Sequence, residues 1–402
     1  MNPRMSRVLL VSFAALGPVW MVGRCALQPD GGLYPGVRRG SVPGSIVILS
    51  TDRLGLADVL AGDGEIKPRL PSLRSLANHG ISVHHAFAAA DRSPAAEASL
   101  VFSLLPSSHG VVEWDRKPSA RLPSVFDAFA GSGFTTAAVS NAPLLWDLDL
   151  GRGTLFSHEL DTDDPEELVN SAAKWLLTVR DRDFVLWVHC VAPERGDSPA
   201  VLEELVKSMT RVLRSLRRYE ETCVVAMSTT ARYRANLEVP LIFRLPADDV
   251  TDAIRKGPVS TLDVVPTLAK MYRVSMSATP HVGRSLVDPP HKPLFSGRHF
   301  VGVAPFEWCN LRVPRLGITA AHYVVLEGAP EPDLFFRFSD RHGREAMPLS
   351  ELEMPKTIET LTGLLADAKK KRLKGPPAQR IKLKPEALRT LERLGHLSGK
   401  SN

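Results

Sequence analysis

Short apolar runs alternate with segments of helical periodicity over the first 270 residues of the chain. The run SIVILS at 45–50 is rich in β-branched residues and lies between Pro43-Gly44 and a polar break, which is typical of a buried strand. Comparable strands are predicted at 135–140, 184–189, 223–228 and 239–244. Apolar side chains recur at helical spacing over 70–79, 98–105, 122–130, 165–178, 202–216 and 261–272. Strands that alternate with helices predict an open α/β sheet, mostly parallel, flanked by helices on both faces.

The pattern changes after about residue 300. Two antiparallel strands are predicted at 317–326 and 333–338, followed by helices at 355–366 and 385–394. These elements indicate a small C-terminal α+β subdomain beside the main sheet. We expect an α/β domain over 45–298, the α+β subdomain over 299–366, and a basic linker with a terminal helix over 367–402.

The N-terminus has the pattern of a targeting segment. Arg4 and Arg7 precede sixteen uncharged residues, 8–23, which match the apolar region of a signal peptide and are short for a membrane-spanning helix. Residues 1–27 are therefore predicted to be a signal peptide or a membrane anchor, and the Gly- and Pro-rich segment 28–44 a linker. Both readings place the protein outside the cytoplasm, in the cell envelope, either periplasmic or anchored to the membrane.

Composition and charge exclude several classes of protein. The 402 residues have an ordinary globular composition, and the net charge of +6 comes largely from one local run. That run includes Lys369, Lys370, Lys371 and Arg372. A local run is weak support for nucleic-acid binding, so we expect no nucleic-acid partner. We expect instead a solvated linker or a contact with an envelope protein or anionic lipid headgroups. The sequence contains no phosphate-binding glycine loop and no metal-ligand spacing of cysteines.

Polar residues follow the predicted parallel strands where a ligand site is expected. In an open α/β sheet, ligands bind at the carboxyl ends of the strands. The residues at these ends are Thr51-Asp52-Arg53, Ser140-Asn141, His189-Cys190 and Ser228-Thr229-Thr230.

Several of these segments resemble the sulfatases, which are members of the alkaline-phosphatase-like superfamily. VILSTDRL at 47–54 is similar to the first strand and metal-binding aspartate of that family, and SPAAEASLVFSLLPSSHGV at 93–111 to its nucleophile segment. LWVHCVAP at 186–193 resembles a strand that ends in an active-site histidine. Further similar segments follow in the same order up to LKPEALRTLERLGHL at 383–397. The resemblance implies a sulfatase-like fold and, in intact members, hydrolysis of sulfate esters.

The resemblance implies that Ser93 is the nucleophile, which the family converts to formylglycine. The conversion motif is Cys or Ser, any residue, Pro or Ala, any residue, Arg. Here Ser93 and Ala95 fit the motif, whereas Glu97 replaces the arginine. A carboxylate at that place repels a sulfate or phosphate dianion. The alternative role for Ser93 is to cap a helix that begins with Pro94.

The implied metal site is incomplete. Family members hold Ca²⁺ or Mg²⁺ with several oxygen ligands, and here only Asp52 matches one of them. Its neighbour is Arg53, and Thr229 and Thr230 occupy the positions of a later ligand pair. Two neutral hydroxyls do not balance a divalent charge. We therefore expect no cofactor, and we expect Arg53 to pair with Asp52 and fill the vacated volume.

The remaining site residues are inferred from the same resemblance. His189 corresponds to the active-site histidine, and Asn141 lies where many members have a lysine, so Asn141 and Arg53 are candidate substrate-binding residues. The leading hypothesis is a sulfatase-like envelope protein, catalytically impaired, that acts by binding or regulation and holds an anionic ester or sugar weakly. The alternative is an active sulfuric or phosphoric ester hydrolase that uses Ser93, His189 and a rearranged Ca²⁺ or Mg²⁺ site. A third class is a structural envelope protein.

Overall fold

The computed structural model describes residues 44–397 apart from a set of internal gaps. The gaps are 62–63, 84, 180, 195, 232–236, 247–252, 256–257, 288–303, 310–314, 321–322, 327–333, 339–345 and 349–354. The predicted targeting segment and nearly all of the predicted linker lie outside the described residues. The helices that are described include none with the length and apolar character needed to cross a bilayer.

The elements follow the predicted alternation. The strands are β1 (Ser45–Thr51), β2 (Ile81–Val83), β3 (Ala86–Phe87), β4 (Arg116–Lys117), β5 (Thr135–Ser140), β6 (Phe156–Glu159), β7 (Phe184–Cys190), β8 (Thr222–Ser228), β9 (Glu238–Val239), β10 (Leu241–Arg244), β11 (Ala253–Arg255), β12 (Val259–Ser260), β13 (Ala304–Trp308), β14 (Arg315–Ala320), β15 (Tyr323–Leu326), β16 (Leu334–Phe338), β17 (Ala346–Pro348) and β18 (Gln379–Arg380). The α-helices are α1 (Leu56–Val59), α2 (Pro71–Asn78), α3 (Ser93–Phe102), α4 (Pro106–His109), α5 (Val125–Gly131), α6 (Pro165–Leu176), α7 (Ser198–Ser215), α8 (Val264–Met271), α9 (Pro355–Lys371) and α10 (Pro385–Arg393).

The main sheet is mostly parallel, as predicted. Its strands, within the described residues, run in the order β11-β2-β10-β8-β1-β7-β5-β6. β1 pairs in parallel with β7 and β8, whereas β10 is antiparallel to both of its neighbours. Alternate residues of β1 enter two separate cores, Ile46 and Ile48 on one face and Val47 and Leu49 on the other. This burial on both faces explains the uninterrupted apolar sequence of the strand.

Three elements differ from the sequence prediction for local reasons. The strand predicted at 239–244 is interrupted at Pro240, which has no N–H to donate, so β9 pairs with β3 and β10 with β8. The strand predicted at 317–326 is the antiparallel pair of β14 and β15. The helix predicted from residue 98 begins at Ser93, because Pro94 suits a first helical turn.

The C-terminal subdomain contains a five-stranded antiparallel sheet, β13 to β17, within the described residues. Helix α9 follows it and continues through Lys371, so the predicted linker at 367 begins as helix. Lysine is a good helix former, and its charge is favourable at the carboxyl end of a helix. Arg372 then forms an ion pair with the buried carboxylate of Glu307.

The last part of the described chain returns across the main domain. We call residues 372–397 the C-terminal strap. Its strand β18 pairs with β4, and Leu391 and Leu394 of the strap are fully buried in the core on the α5 side of the sheet. The strap therefore ends at the carboxyl edge of β1, where the functional site was expected.

Candidate functional site

Asp52 lies at the end of β1 and its side chain is completely buried. Its Oδ1 accepts a hydrogen bond from the Ala192 N–H at 2.9 Å, and its Oδ2 accepts one from the Ser93 hydroxyl at 2.6 Å. Arg53 Nε and His396 Nε2 each lie 3.3 Å from the same Oδ2. Burial alone would raise the pKa of Asp52, but His396, Arg53 and the Ser93 hydroxyl together hold that pKa far below its usual range.

Arg53 connects Asp52 to the C-terminal strap. The ion pair predicted between Asp52 and Arg53 is present, and the guanidinium Nη2 also donates to the Leu394 carbonyl at 2.8 Å and to the Ala192 carbonyl. The same nitrogen lies 3.1 Å from His396 Nε2. Arg53 has a backbone φ of +51°, a conformation uncommon for a non-glycine residue. Through these contacts the Arg53 side chain joins Asp52, near the start of the described chain, to Leu394, near its end.

A second polar group lies behind Asp52 and is also buried. Glu97 Oε1 accepts a hydrogen bond from the Thr229 hydroxyl at 2.6 Å, and His189 Nε2 lies 3.5 Å from the same oxygen. His189 Nδ1 lies 2.8 Å from Ser50 Oγ, which itself accepts a hydrogen bond from the Trp187 indole at 2.8 Å. The Ser50 hydroxyl is therefore assigned as the donor to His189 Nδ1, which accepts, and the imidazole proton is then on Nε2, facing Glu97.

The pKa values of Glu97 and His189 are shifted in opposite directions, each toward the neutral form of its side chain. Burial and the nearby Asp52 charge raise the pKa of Glu97 well above its ordinary value. Burial lowers the pKa of His189 to about 4. Glu97 Oε2 and His189 Nε2 have no hydrogen-bond partner among the described residues. Sequence reasoning missed this contact, although a glutamate inside the apolar sequence SPAAEASLVF was a signal that it is buried.

The hydroxyls of Thr229 and Thr230 form hydrogen bonds with the backbone and with Glu97. Thr230 Oγ1 accepts a hydrogen bond from the Arg53 N–H at 2.9 Å, and the Thr229 N–H donates to the Thr51 carbonyl at 2.8 Å. Ser93 is not a capping residue, because it lies within the first turn of α3 and its hydroxyl donates to Asp52.

Asn141 is buried and is not among the residues that line the cleft described below. Its Nδ2 donates to the carbonyls of Thr162 and Val191 at 3.1 Å each, and its Oδ1 accepts from the Val191 N–H at 2.8 Å. These bonds connect the loop after β5 to the loops that follow β6 and β7, and a role in substrate binding remains a prediction.

A cleft of about 500 Å³ opens above Ser93 and Arg53. Its lining includes Arg53, Asp91, Arg92, Ser93, Glu113, Trp114, Glu194, Thr230 and His396. Two elements far apart in sequence, the start of α3 and the end of the strap, therefore contribute to its wall.

The residues present do not fit a divalent cation. Ca²⁺ and Mg²⁺ need about six to eight oxygen ligands, several of them charged. Asp52 supplies one carboxylate, and the Arg53 guanidinium and the His396 imidazole already contact its Oδ2. The Glu97 carboxyl accepts a hydrogen bond from the Thr229 hydroxyl, and no group of three or more His, Cys, Asp or Glu side chains in the described part of the chain could hold a metal ion.

Comparisons with solved structures establish the fold. A protein of the alkaline phosphatase superfamily from Vibrio parahaemolyticus matches 85% of this chain and 88% of its own, with 15% identity and a TM-score of 0.62. The phosphonate monoester hydrolase of Agrobacterium radiobacter matches 86% of this chain and 99% of its own, with 13% identity and a TM-score of 0.63. The chain has the alkaline-phosphatase-like fold of the sulfatases.

A third solved structure with this fold contains a sulfated sugar. It is a protein in complex with its substrate, D-glucosamine-2-N,6-O-disulfate, and it matches 83% of this chain and 98% of its own, with 13% identity and a TM-score of 0.66. By sequence, the chain matches no protein-family model and no curated protein. The sulfatase-like fold predicted from the sequence is thus confirmed.

Glu97 offers a test of the neutral buried pair. When folding raises the pKa of a carboxyl group, the folded protein loses stability as the pH rises from the ordinary pKa of that group to the raised pKa. The isosteric Glu97→Gln variant removes that loss and keeps the acceptor for Thr229. We expect its urea midpoint to match that of the wild type near pH 4 and to exceed it increasingly up to pH 8.

The control is Glu203→Gln, which changes a carboxylate that accepts hydrogen bonds from the Ser72 and Leu73 N–H groups at the start of α2. This substitution is expected to lower stability at pH 7 by about 1 kcal/mol, because it removes a charge from a helix N-terminus. A lower midpoint for Glu97→Gln at pH 8 would show that Glu97 is ionised in the folded protein.

Proposed function

We propose that this chain is a sulfatase-fold protein that does not hydrolyse esters and instead acts in the cell envelope by binding or regulation. The observation that carries the proposal is the contact of Arg53 and His396 with Asp52, the one carboxylate that matches a metal ligand of the fold. A fixed guanidinium at this place supplies the positive charge that a cation supplies in an intact site. The guanidinium has no open coordination position for a substrate oxygen.

A route that depends on Ser93 alone has little support. The Ser93 hydroxyl donates its proton to Asp52, whose pKa is far below its usual range. Such a carboxylate is a weak base and does not activate a hydroxyl near neutral pH. His189 is buried beside Glu97 and is not among the residues that line the cleft.

The proposed ligand is an anionic ester or a sugar, held weakly. Arg53 and Arg92 line the cleft, but Asp91, Glu113 and Glu194 line it as well. These carboxylates oppose the approach of a dianion, so most of the affinity must come from contacts with the sugar itself. Trp114 also lines the cleft, and the small exposed part of its largely buried side chain offers an apolar contact.

The proposal is tested by measuring bound metal and turnover on the same preparation. The protein is equilibrated with excess Ca²⁺, Mg²⁺ or Mn²⁺, desalted, and analysed by mass spectrometry of the metal, and is then assayed with an aryl sulfate and an aryl phosphate. We expect metal well below one ion per chain and no turnover above that of the Ser93→Ala variant. Near-stoichiometric metal, with activity that is lost in Ser93→Ala, would instead establish an ester hydrolase.

Binding is measured separately by thermal unfolding. A ligand that binds only the folded state at ten times its Kd adds about 1.4 kcal/mol to the free energy of unfolding. Glucosamine-2-N,6-O-disulfate and glucosamine are suitable probes, and Arg92→Gln is the variant that should weaken binding of the sulfated one. Stabilisation by neither sugar would contradict a sugar ligand and would favour a protein partner.

A further inference from the structure

The positive charge of the chain is concentrated near its C-terminus. Of the 50 Lys and Arg residues, ten lie between 367 and 397, together with three of the 44 Asp and Glu residues. The rest of the sequence therefore contains 40 basic and 41 acidic residues. The excess charge of the whole protein is thus a property of this one segment.

Part of this charge lies on an ordered, extended backbone. Arg380, Lys382 and Lys384 are exposed, whereas Leu383 is buried and Ile381 packs against the core. Alternation of this kind directs every second side chain to the solvent, at intervals of about 6–7 Å. With the exposed Lys370 and Lys374 that precede it, this row forms what we call the basic ridge.

The ridge is fixed to the main domain. β18 pairs with β4, and the Ile381 N–H donates to the Asp115 carbonyl at 2.9 Å. Arg380, Lys384 and Lys370 form ion pairs with Asp115, Asp147 and Asp367, at 2.8, 3.6 and 3.7 Å. Lys374 and Lys382 have no acidic partner within 4.0 Å among the described residues. A preformed row of this kind binds a polyanion without the cost of ordering a flexible tail.

The residue types in the segment favour some classes of anionic partner over others. Residues 367–397 include no Trp, Tyr or Phe, so the segment has no platform for stacking nucleobases and no aromatic anchor for a bilayer interface. Its exposed large apolar side chains, within the described residues, are Leu373 and Leu388. A linear arrangement of cations matches the regularly spaced charges of a linear polymer.

We propose that the basic ridge is a docking surface for a linear anionic polysaccharide. The strap, which carries all of the ridge residues except Lys370, continues through α10 to Gly395 and His396, which line the cleft. A polysaccharide seated on the ridge is therefore held on the same segment that forms the cleft wall. None of the ridge residues lines the cleft itself, so the ridge and the proposed cleft ligand are tested independently.

The test compares two triple variants with the same change in charge. Lys370→Gln/Lys374→Gln/Lys382→Gln removes ridge charges, and Lys174→Gln/Lys207→Gln/Lys270→Gln removes exposed lysines elsewhere on the described surface. Binding of dextran sulfate, with dextran as the uncharged probe, is measured by calorimetry over a series of NaCl concentrations. We expect the ridge variant to raise the Kd at 50 mM NaCl at least about tenfold, and to reduce the slope of log Kd against log[NaCl] by about 2.

Three results would overturn the proposal. The wild type binds no dextran sulfate, or both triple variants weaken binding equally, or the protein binds phosphatidylglycerol vesicles and not dextran sulfate. The last result would assign the ridge to a membrane surface. Unchanged thermal midpoints of both variants establish that any loss of binding is not a loss of folding.

Discussion

The Arg53→Ala substitution is expected to lower the free energy of unfolding by about 2–4 kcal/mol. It leaves the buried Asp52 carboxylate without its guanidinium partner, and breaking a buried ion pair from one side is strongly destabilising. The expected loss is at the lower end for such pairs, because the Arg53 side chain is 21% exposed. The substitution also removes the hydrogen bond from Arg53 to the Leu394 carbonyl, so the strap is held less firmly. Urea denaturation monitored by circular dichroism measures the loss.

A double-mutant cycle separates the charge effect from the loss of packing. In the Arg53→Ala background, Asp52→Asn removes the unpaired charge and keeps an oxygen acceptor for the Ala192 N–H. We expect this second substitution to recover more than about 1 kcal/mol, whereas in the wild type it destabilises. Arg69→Ala, which breaks an exposed ion pair with Asp197, is the control and should cost less than about 1 kcal/mol. Additive effects of the two site substitutions would contradict the ion pair.

The second large effect is expected at acid pH and concerns His109, which is completely buried at the end of α4. Its Nδ1 accepts a hydrogen bond from the Val111 N–H at 3.1 Å, so its proton lies on Nε2 and faces Ser99 Oγ at 3.0 Å. Burial lowers its pKa to about 3. A histidine with a depressed pKa contributes stability above its ordinary pKa of 6.5, and this contribution is lost as the pH falls toward 3.

The His109→Asn variant measures that contribution. Asparagine does not titrate, and its side-chain oxygen can accept from the N–H two residues later, as Nδ1 of His109 does. Between pH 7 and pH 4 the wild type should lose roughly 3 kcal/mol relative to the variant. The variant is less stable at pH 7 because of its smaller volume, so the two stability curves should converge or cross near pH 4. Parallel curves would show that His109 is protonated in the folded state.

The main sheet was predictable from the sequence because most of its central strands have a recognisable pattern of apolar residues. β1, β7 and β8 are buried on both faces, and such strands appear in the sequence as nearly continuous apolar runs. The same reasoning failed at Pro240, where one apolar run supplies two strands in different sheets. Periodicity alone does not show where a chain leaves one sheet for another.

The candidate site was only partly predictable, for a physical reason. Asp52 and its pairing with Arg53 could be expected, because the two residues are adjacent in sequence and carry opposite charges. The contact of Glu97 with His189 and that of His396 with Asp52 join residues far apart in the chain. Such contacts depend on how the layers pack, and no local pattern in the sequence encodes them.

The link between Arg53 and His396 has a consequence for the order in which the protein is made. The two residues are 343 positions apart. The ribosome therefore synthesises Arg53, just after β1, long before it synthesises His396, which contacts it. A nascent chain can form the sheet early, but the carboxyl edge of β1 becomes complete only when the strap docks. A chain that terminates before residue 394 would therefore form the sheet but leave Asp52 and Arg53 without their contacts to the strap. Quality-control proteases are suited to recognise such a partly exposed form.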